Sequence, residues 1–163
     1  MKLKYGELFD STDDVLLVTA NSYITKDGRL VMGRGAALEM KTKFPDFDSK
    51  AGKRILEKCG HLGKYGVELF TYNYKYELTL LGIFQVKYNF KDKADLELIK
   101  YSTDRLISII PELEDEGYEK ISMNFPAIKN GRLNFEDVLP IVSILPDNVT
   151  LYLRGEDEVT EMH

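Results

Sequence analysis

The segment VLLVT at residues 15–19 is the strongest indication of the fold class, because it is apolar or β-branched throughout. A run of this kind is typical of a strand in the middle of a sheet whose two faces are both covered. The polar segment at residues 21–35 follows it and contains Gly33 and Gly35, which predicts a long loop. Apolar residues then recur with helical spacing at residues 36–44, up to a proline that interrupts the helix. A strand, a glycine-rich loop and a helix in this order indicate an α/β protein.

The rest of the chain alternates between strand-like and helix-like patterns. The segment YNYKY at residues 72–76 lies between two strand patterns and fits either a hairpin turn or a loop. Asp92 and Asp95 are spaced like a capping box, which predicts that a long helix opens at Asp92. Its expected buried stripe comprises Leu96, Ile99, Leu106 and Ile110. We predict further strands at residues 67–71, 79–86, 120–125 and 149–153, and further helices at residues 47–59 and 134–145. Because helices separate most of the strands, we expect a three-layer α/β/α fold with a mixed, largely parallel central sheet.

The composition limits the classes of function. The length of 163 residues suits one domain, which we place at residues 1–155, followed by a polar tail at residues 156–163. The 22 Lys and Arg residues against 27 Asp and Glu residues give a net charge of −5. This acidic balance argues against a general binder of nucleic-acid backbones, which usually carries a basic face. It does not exclude a small nucleotide, which local dipoles can hold.

Cysteine and histidine are too scarce for a disulfide framework or a multi-residue metal site. The single cysteine, Cys59, is predicted to lie inert on the apolar face of the second helix. With only His61 and His163, a histidine-rich zinc site is not expected either, so we predict no metal and no cofactor. The sequence shows no signal-peptide pattern and no apolar run that would span a membrane. We therefore expect a cytoplasmic protein that binds no membrane.

In a parallel sheet, ligands bind beyond the carboxyl ends of the strands. The informative segments are therefore those that follow Thr19, Val86, Phe125 and Leu153. The GRG sequence at residues 33–35 lies in the first of these segments and directly precedes a helix. Its glycines allow close approach of a ligand, and the helix start adds unpaired N–H groups and the positive end of the helix dipole. A diphosphate suits such a site, although a tight turn before a helix explains the same residues without a ligand.

Five stretches, in order along the chain, resemble one known family. They are GEL at residues 6–8, the strand and its end at residues 15–21, MGRGAAL at residues 32–38, FQVKYNFKDKADLE at residues 84–97 and NFPAIKNGRLNFEDV at residues 124–138. Together they resemble a macrodomain, the α/β/α module that binds ADP-ribose. Residues 84–97 are similar to one branch in particular. That branch holds bacterial proteins akin to the antitoxins that remove ADP-ribose from DNA, and the terminal ADP-ribose protein glycohydrolases.

The resemblance implies a set of ligand contacts. The first glycine loop would embrace the diphosphate and the distal ribose, and a second loop, shorter and poorer in glycine than in the family, would hold the opposite side. Glu7 stands where the family usually has an Asp that receives the adenine amino group, and the extra methylene changes its reach. The implied ligand-binding residues are Glu7, Asn21, Met32, Gly33, Arg34, Gly35, Ala36, Ala127, Ile128, Lys129, Asn130 and Gly131.

Asn21 and Lys87 are the candidate catalytic residues. The resemblance gives the Asn21 amide the distal ribose hydroxyls or a water, whereas an Asx turn that closes the strand is the alternative. Lys87 ends another strand, where partial desolvation favours a nucleophile or an acid, and the related glycohydrolases use a lysine in the matching place. The alternative is a surface lysine that pairs with Asp92 or Asp95. The acidic residue that some glycohydrolases of this branch use with their lysine is missing from the second loop.

The resemblance implies a hydrolase of ADP-ribose derivatives. Such an enzyme would remove ADP-ribose from DNA or protein, or would dephosphorylate ADP-ribose 1″-phosphate. A non-catalytic module that binds ADP-ribose or another NAD-derived metabolite is the alternative, and the shortened second loop favours it. A third hypothesis is an RNA- or DNA-end binder that uses Arg34, Lys87 and Lys91, which requires these cations to cluster in an acidic chain. We expect a monomer whose partner is ADP-ribose or an ADP-ribosylated macromolecule.

Overall fold

The computed structural model describes residues 1–154, and the predicted tail at residues 156–163 lies outside the described residues. Within them, six strands form one sheet, accompanied by four α-helices and a short 3₁₀ helix at Leu8–Asp10. The strands are β1 (Lys2–Tyr5), β2 (Val15–Ala20), β3 (Val67–Tyr74), β4 (Glu77–Gln85), β5 (Ile121–Asn124) and β6 (Val149–Leu153). The helices are α1 (Gly35–Lys43), α2 (Phe47–Lys58), α3 (Leu96–Asp115) and α4 (Phe135–Val142).

The strands follow the order β1-β6-β5-β2-β4-β3 across the sheet. The five strands from β1 to β4 in this order are parallel, and β3 pairs with β4 in the antiparallel sense. The carboxyl ends of the five parallel strands therefore lie along one edge of the sheet. The predicted mixed, largely parallel sheet is confirmed.

β2 lies inside the sheet with both faces covered, as its apolar sequence predicts. Val15 and Leu17 pack in the core beneath α3 and α4, whereas Leu16 and Val18 pack in the core beneath α1 and α2. All four side chains are fully buried, and burial of one such side chain contributes about 1.5–3 kcal/mol to stability. The two cores on opposite faces of the sheet confirm the three-layer α/β/α fold.

β3 and β4 form a hairpin, which settles the two alternatives for residues 72–76. Tyr74 pairs with Glu77, so only Lys75 and Tyr76 lie between the strands. Both turn residues have left-handed backbone, with φ of 51° and 67°. Two consecutive left-handed residues make the type of turn whose twist matches that of the strands.

The long helix α3 begins at Leu96, so the prediction that Asp92 opens it is wrong. Asp95 is the N-cap, and its carboxylate accepts hydrogen bonds from the N–H groups of Glu97 at 2.9 Å and Leu98 at 3.3 Å. The helix starts after Asp95 because its side chain satisfies the N–H groups of the first turn, whereas Asp92 precedes it in a loop. A single capping carboxylate replaces the predicted capping box.

Two residues predicted for the core are exposed. Leu96 is the first residue of α3 and stays in contact with solvent, while Leu98 and Ile99 face the core. Cys59 is exposed because α2 ends at Lys58, so the four-residue spacing no longer keeps Cys59 on the buried face. The predicted burial of Leu96 and of Cys59 is therefore wrong.

Sequence patterns did not predict β1, although it forms one edge of the sheet. All four of its residues are exposed, and its sequence KLKY carries no buried apolar run. It is ordered through its parallel pairing with β6. Such a strand depends on a partner distant in sequence, which a local pattern does not reveal.

Two further observations concern the described residues as a whole. No helix among residues 1–154 is both long enough and apolar enough to cross a membrane. The same residues contain no cluster of three or more His, Cys, Asp or Glu side chains that would hold a metal ion.

Candidate functional site

A cleft of about 850 Å³ lies at the carboxyl ends of the five parallel strands. Its lining includes residues after each of these strands, from Gly6 after β1 to Lys87 after β4. Five strand ends at a spacing of about 4.8 Å extend over roughly 19 Å, so the cleft is elongated along the sheet edge. All four segments that the sequence marks as informative contribute to it. Its volume lies in the range of pockets that hold small-molecule ligands.

The first glycine turn, at residues 33–35, forms part of the lining. The N–H groups of Gly33, Arg34, Gly35 and Ala36 donate no hydrogen bond to any group within residues 1–154. Arg34 is the N-cap of α1, and its side chain does not cap the helix. The turn therefore presents unpaired backbone donors together with the positive end of the dipole of α1, which is the arrangement that binds anions.

A second turn, at residues 127–132, follows β5 and lines the same cleft. Ala127 and Arg132 have left-handed backbone, with φ of 65° and 62°. The N–H of Leu133 closes the turn on the carbonyl of Ala127 at 2.9 Å. Gly131 is required inside this turn, because a Cβ there would lie 2.6 Å from Ala127. The turn is short and tightly closed, as its reduced glycine content suggests.

The side chain of Asn21 is buried and engaged by its own loop. Its Nδ2 donates to the carbonyl of Val31 at 3.0 Å, and its Oδ1 accepts from the N–H of Tyr23 at 2.8 Å. The second contact is an Asx turn, the alternative for this residue. Asn21 also lines the cleft, so its amide both shapes the loop and borders the site. The contact of Asn21 with the distal ribose stays a prediction.

Lys87, at the β4 end of the cleft, connects the loop after β4 with the second turn. Its Nζ donates to the carbonyl oxygens of Phe90 at 3.3 Å, Asp92 at 3.2 Å and Asn130 at 3.4 Å. The acceptor at Asp92 is thus its backbone, and within residues 1–154 no carboxylate pairs with Lys87. The geometry differs from the surface ion pair that we considered for Lys87.

The electrostatic surroundings of Lys87 disfavour its charged form. Burial lowers the pKa of the Lys87 ammonium below the ordinary lysine value, and the guanidinium groups of Arg132 and Arg34 lower it further. The negative charge of Asp92 raises the pKa of Lys87 and so partly offsets these effects. The neutral amine, which is the nucleophilic form, is therefore more accessible at Lys87 than at a solvated lysine.

A buried glutamine organises the loops around this end of the cleft, and sequence analysis did not single it out. Gln85 is fully buried at the end of β4. Its Oε1 accepts from the N–H groups of Tyr65 at 2.8 Å and Gly66 at 3.1 Å. Its Nε2 donates to the Gly63 carbonyl at 2.9 Å and to Ser22 Oγ at 3.2 Å. Gln85 thus joins the loop after β2 to the loop before β3.

The same network reaches both candidate catalytic residues. The phenol of Tyr65 donates to the carbonyl of Asn21 at 2.9 Å. The N–H of Ser22 donates to the carbonyl of Tyr88, the neighbour of Lys87, at 2.9 Å. These buried hydrogen bonds therefore fix the backbone at Asn21 and beside Lys87.

No protein-family model matches this sequence, and no curated protein matches it. Solved structures do match. The Thermosipho africanus DarTG structure in complex with ADP-ribose aligns with 96% of this chain at a TM-score of 0.70 and 20% sequence identity, and this chain spans 42% of that one. The Mycobacterium tuberculosis DarG macrodomain aligns over 94% of this chain and 98% of its own, at a TM-score of 0.69 and 24% identity.

The Thermus aquaticus DarG macrodomain aligns over 95% of this chain and 97% of its own, at a TM-score of 0.65 and 20% identity. This chain has the macrodomain fold. The agreement covers almost the whole chain and confirms the fold that the resemblance implies. At these identities the structures share the fold, so the ligand and the chemistry of this protein depend on its own cleft.

Positive charge is concentrated in the cleft of this protein. Among the described lining residues, six are Lys or Arg and one, Asp92, is acidic. The cations are Arg34, Lys87, Lys91, Lys129, Arg132 and Arg154. The chain as a whole has a net charge of −5, so the sign of the charge in the cleft is opposite to that of the whole chain. Such a surface favours an anionic ligand.

At the β1 end of the cleft, an arginine is held by two carboxylates. Arg154 Nη2 contacts Glu7 Oε2 at 2.9 Å and also pairs with Glu39 Oε1. Arg154 lines the cleft, whereas neither glutamate is part of the lining. The carboxylate that the resemblance gives to the adenine amino group is thus engaged by a guanidinium. Whether Glu7 contacts a base stays a prediction.

Three predicted ligand contacts have side chains in the core. Met32, Ala127 and Ile128 are buried, with 2%, 6% and 3% of their surface exposed. Met32 and Ala127 nevertheless line the cleft, whereas Ile128 lines a smaller neighbouring pocket. The remaining predicted contacts, apart from Glu7, lie in the cleft lining.

Proposed function

We propose that this macrodomain binds ADP-ribose and hydrolyses an ADP-ribose derivative. The proposal rests on one observation: the unpaired backbone N–H donors at residues 33–36 and six cationic side chains line the same cleft. A diphosphate satisfies both features, because its oxygens accept hydrogen bonds and carry negative charge. The ADP-ribose in the Thermosipho africanus DarTG structure supports this ligand class.

We infer the direction of the ligand from the residues that the resemblance assigns to its ends, which are Glu7 for the base and Asn21 and Lys87 for the distal ribose. The first turn follows β2 and the second follows β5, and these two strands are neighbours in the middle of the sheet. A diphosphate between the turns therefore lies at the centre of the cleft. The base extends toward β6 and β1, where Leu8 and Tyr152 supply apolar lining. The distal ribose extends toward β4 and reaches Lys87.

Lys87 is the residue that we assign to the reaction. Three carbonyl oxygens orient its Nζ, and burial together with two guanidinium groups lowers its pKa. A neutral amine in this place attacks C1″ of the distal ribose; the bond from C1″ to the modified group breaks, and the departing atom takes the proton that the amine loses. Water then cleaves the bond between Lys87 and C1″, which releases ADP-ribose and restores the free amine. Alternatively, the ammonium form stabilises developing negative charge. Both roles need the distal ribose beside Lys87, which the direction of the ligand provides.

A non-catalytic binding module is the second candidate. Both polar atoms of the Asn21 amide already contact the backbone of its own loop, so Asn21 is less suited to orient a water. The second turn contains a single glycine, Gly131, and closes tightly on Ala127. These features favour ligand binding without turnover.

Two measurements on the full chain decide between the candidates. Calorimetry with ADP-ribose and with AMP, which lacks the diphosphate and the distal ribose, tests the ligand. Release of ADP-ribose from modified DNA and from modified protein, followed for the native chain and for Lys87→Ala, tests the reaction. Binding with release supports the hydrolase, and binding without release supports the binding module. If ADP-ribose binds no better than AMP, the proposed function is wrong.

A further inference from the structure

Arg154, Glu7 and Glu39 form a charged cluster that the proposed chemistry does not use. Arg154 follows β6 directly, and Glu7 lies just after β1. These strands are parallel neighbours, with Tyr5 paired to Leu153. The cluster is therefore built by the pairing of the two strands.

Further contacts hold this cluster in place. The N–H of Gly6 donates to the carbonyl of Leu153 at 2.9 Å, which fixes the backbone just before Glu7 and just before Arg154. Glu39 lies on α1, four residues after Gly35, so it stands one turn along the helix that begins at the first glycine turn. Arg154 thus ties the base end of the cleft to the helix that borders the diphosphate.

The cluster determines which chemical group the base end presents. Carboxylates only accept hydrogen bonds and guanidinium groups only donate them. Arg154 lines the cleft, whereas Glu7 and Glu39 lie outside the lining and form ion pairs with it. The base end therefore presents a guanidinium rather than the carboxylate acceptor that an exocyclic amine requires.

We propose that Arg154 sets the base selectivity of the cleft by holding the Glu7 carboxylate away from the base. The inference rests on the proposed function. At C6, adenine carries an amine, which donates hydrogen bonds, whereas hypoxanthine carries an oxo group, which accepts them. A released Glu7 would favour adenine, whereas Glu7 held by Arg154 does not discriminate. The planar guanidinium stacks on the face of either ring. The ligand class is thus a purine nucleoside diphosphate ribose whose C6 substituent is not read by a carboxylate.

The test compares the affinities of ADP-ribose and of its deaminated analogue, which carries hypoxanthine. Calorimetry on the native chain should give similar affinities for the two. Arg154→Gln should raise the preference for adenine about fivefold or more, because Glu7 becomes available to accept from the amine. Glu7→Gln should leave the native ratio unchanged, and Arg154→Gln combined with Glu7→Gln should lose the gained preference. The ratio is informative even where Arg154→Gln weakens both ligands.

Each remaining outcome counts against the inference. A strong native preference for adenine that Glu7→Gln abolishes would show that Glu7 contacts the base in spite of Arg154. An unchanged ratio in Arg154→Gln would show that Arg154 has no part in selectivity. If the native chain binds neither nucleotide, the proposed function fails and the inference fails with it. Thermal melting of each variant, compared with the native chain, separates these results from unfolding.

Discussion

The side-chain amide of Asn130 occupies the space that a side chain at Gly35 would need. Asn130 Nδ2 lies 2.7 Å from the ideal Cβ position of Gly35, so the second turn touches the first directly. Gly35 also has left-handed backbone, with φ of 58°. The backbone conformation therefore selects glycine at this position, and a Cβ there would also require the Asn130 amide to shift.

Gly35→Ala should destabilise the fold and weaken ADP-ribose binding together. The left-handed backbone alone costs about 1–2 kcal/mol for a residue with a Cβ, and the contact with Asn130 adds to this. Chemical denaturation measures the loss of stability, and calorimetry measures the affinity. Asn130→Gly in the same chain should recover the part of the loss that comes from the contact. A stable Gly35→Ala variant would contradict this account of the turn.

Gly33→Ala is the matched control for the contact with the diphosphate. An ideal Cβ at Gly33 meets no atom within 4 Å, so the free energy of unfolding should stay within about 0.5 kcal/mol of the native value. ADP-ribose affinity should nevertheless fall about tenfold or more, because the methyl group stands where the backbone approaches the phosphate. Undiminished affinity in a stable Gly33→Ala variant would show that the diphosphate does not rest on this turn.

Much of the fold follows from local sequence because its strong signals are local. The apolar run at residues 15–19 needs cover on both faces, and that need alone predicts a central strand with helices on either side. The two strands around residues 72–76 are also visible as patterns. The start of α3 was misplaced because Asp92 and Asp95 are both acceptable caps, and tertiary contacts choose between them.

The candidate site likewise has parts that the sequence predicts and parts that it does not. The first glycine turn and the strand ends are evident from sequence, since glycine spacing and sheet topology place them. Gln85 is not, because a polar residue at the end of an apolar strand gives no indication of the four groups that it contacts. The ion pairs of Arg154 are equally hidden, because they depend on the pairing of β1 with β6. Contacts between distant segments carry most of what the sequence did not predict.

Gln85→Ala should be among the most destabilising polar substitutions in this protein. It would leave the buried N–H groups of Tyr65 and Gly66 without an acceptor, at a cost of about 1–3 kcal/mol for each group. Ser102→Ala is the control, because it removes one hydrogen bond to the Gln85 carbonyl at 2.7 Å and should cost about 1 kcal/mol. Urea denaturation measures both. Equal losses in the two variants would contradict the central position of Gln85.

Substitutions of Asn21 test whether its side chain both stabilises its own loop and contacts the ligand. Asn21→Asp keeps the acceptor for the Tyr23 N–H but loses the donor to Val31, whereas Asn21→Ala loses both contacts. We expect Asn21→Ala to lower the free energy of unfolding by about 1–3 kcal/mol. If the amide also holds the distal ribose, both variants should bind ADP-ribose more weakly than the native chain while AMP binding changes less. Parallel losses for the two ligands would assign Asn21 to the loop alone.

The pH dependence of stability provides a check on Lys87 that needs no ligand. The pKa of Lys87 is lowered in the folded state, so between that pKa and the value of an ordinary lysine the unfolded chain binds more protons. The free energy of unfolding should therefore rise with pH across this window through the contribution of Lys87. Lys87→Met should remove that contribution, which denaturation at several pH values measures. An identical pH slope in Lys87→Met would show that the pKa of Lys87 is unshifted.

The pH dependence of turnover tests Lys87 as the nucleophile. If the neutral amine reacts, the rate of ADP-ribose release should rise with pH and reach half of its maximum below the pKa of an ordinary lysine, since burial and Arg132 favour the neutral form. Arg132→Gln removes one of the positive neighbours and should move the profile to higher pH, whereas Arg132→Lys keeps the charge and should leave it in place. Lys87→Ala should lower kcat by orders of magnitude, because a covalent step loses its nucleophile. A loss smaller than about tenfold would assign Lys87 to ligand binding, because removal of a true nucleophile costs several kcal/mol of transition-state stabilisation.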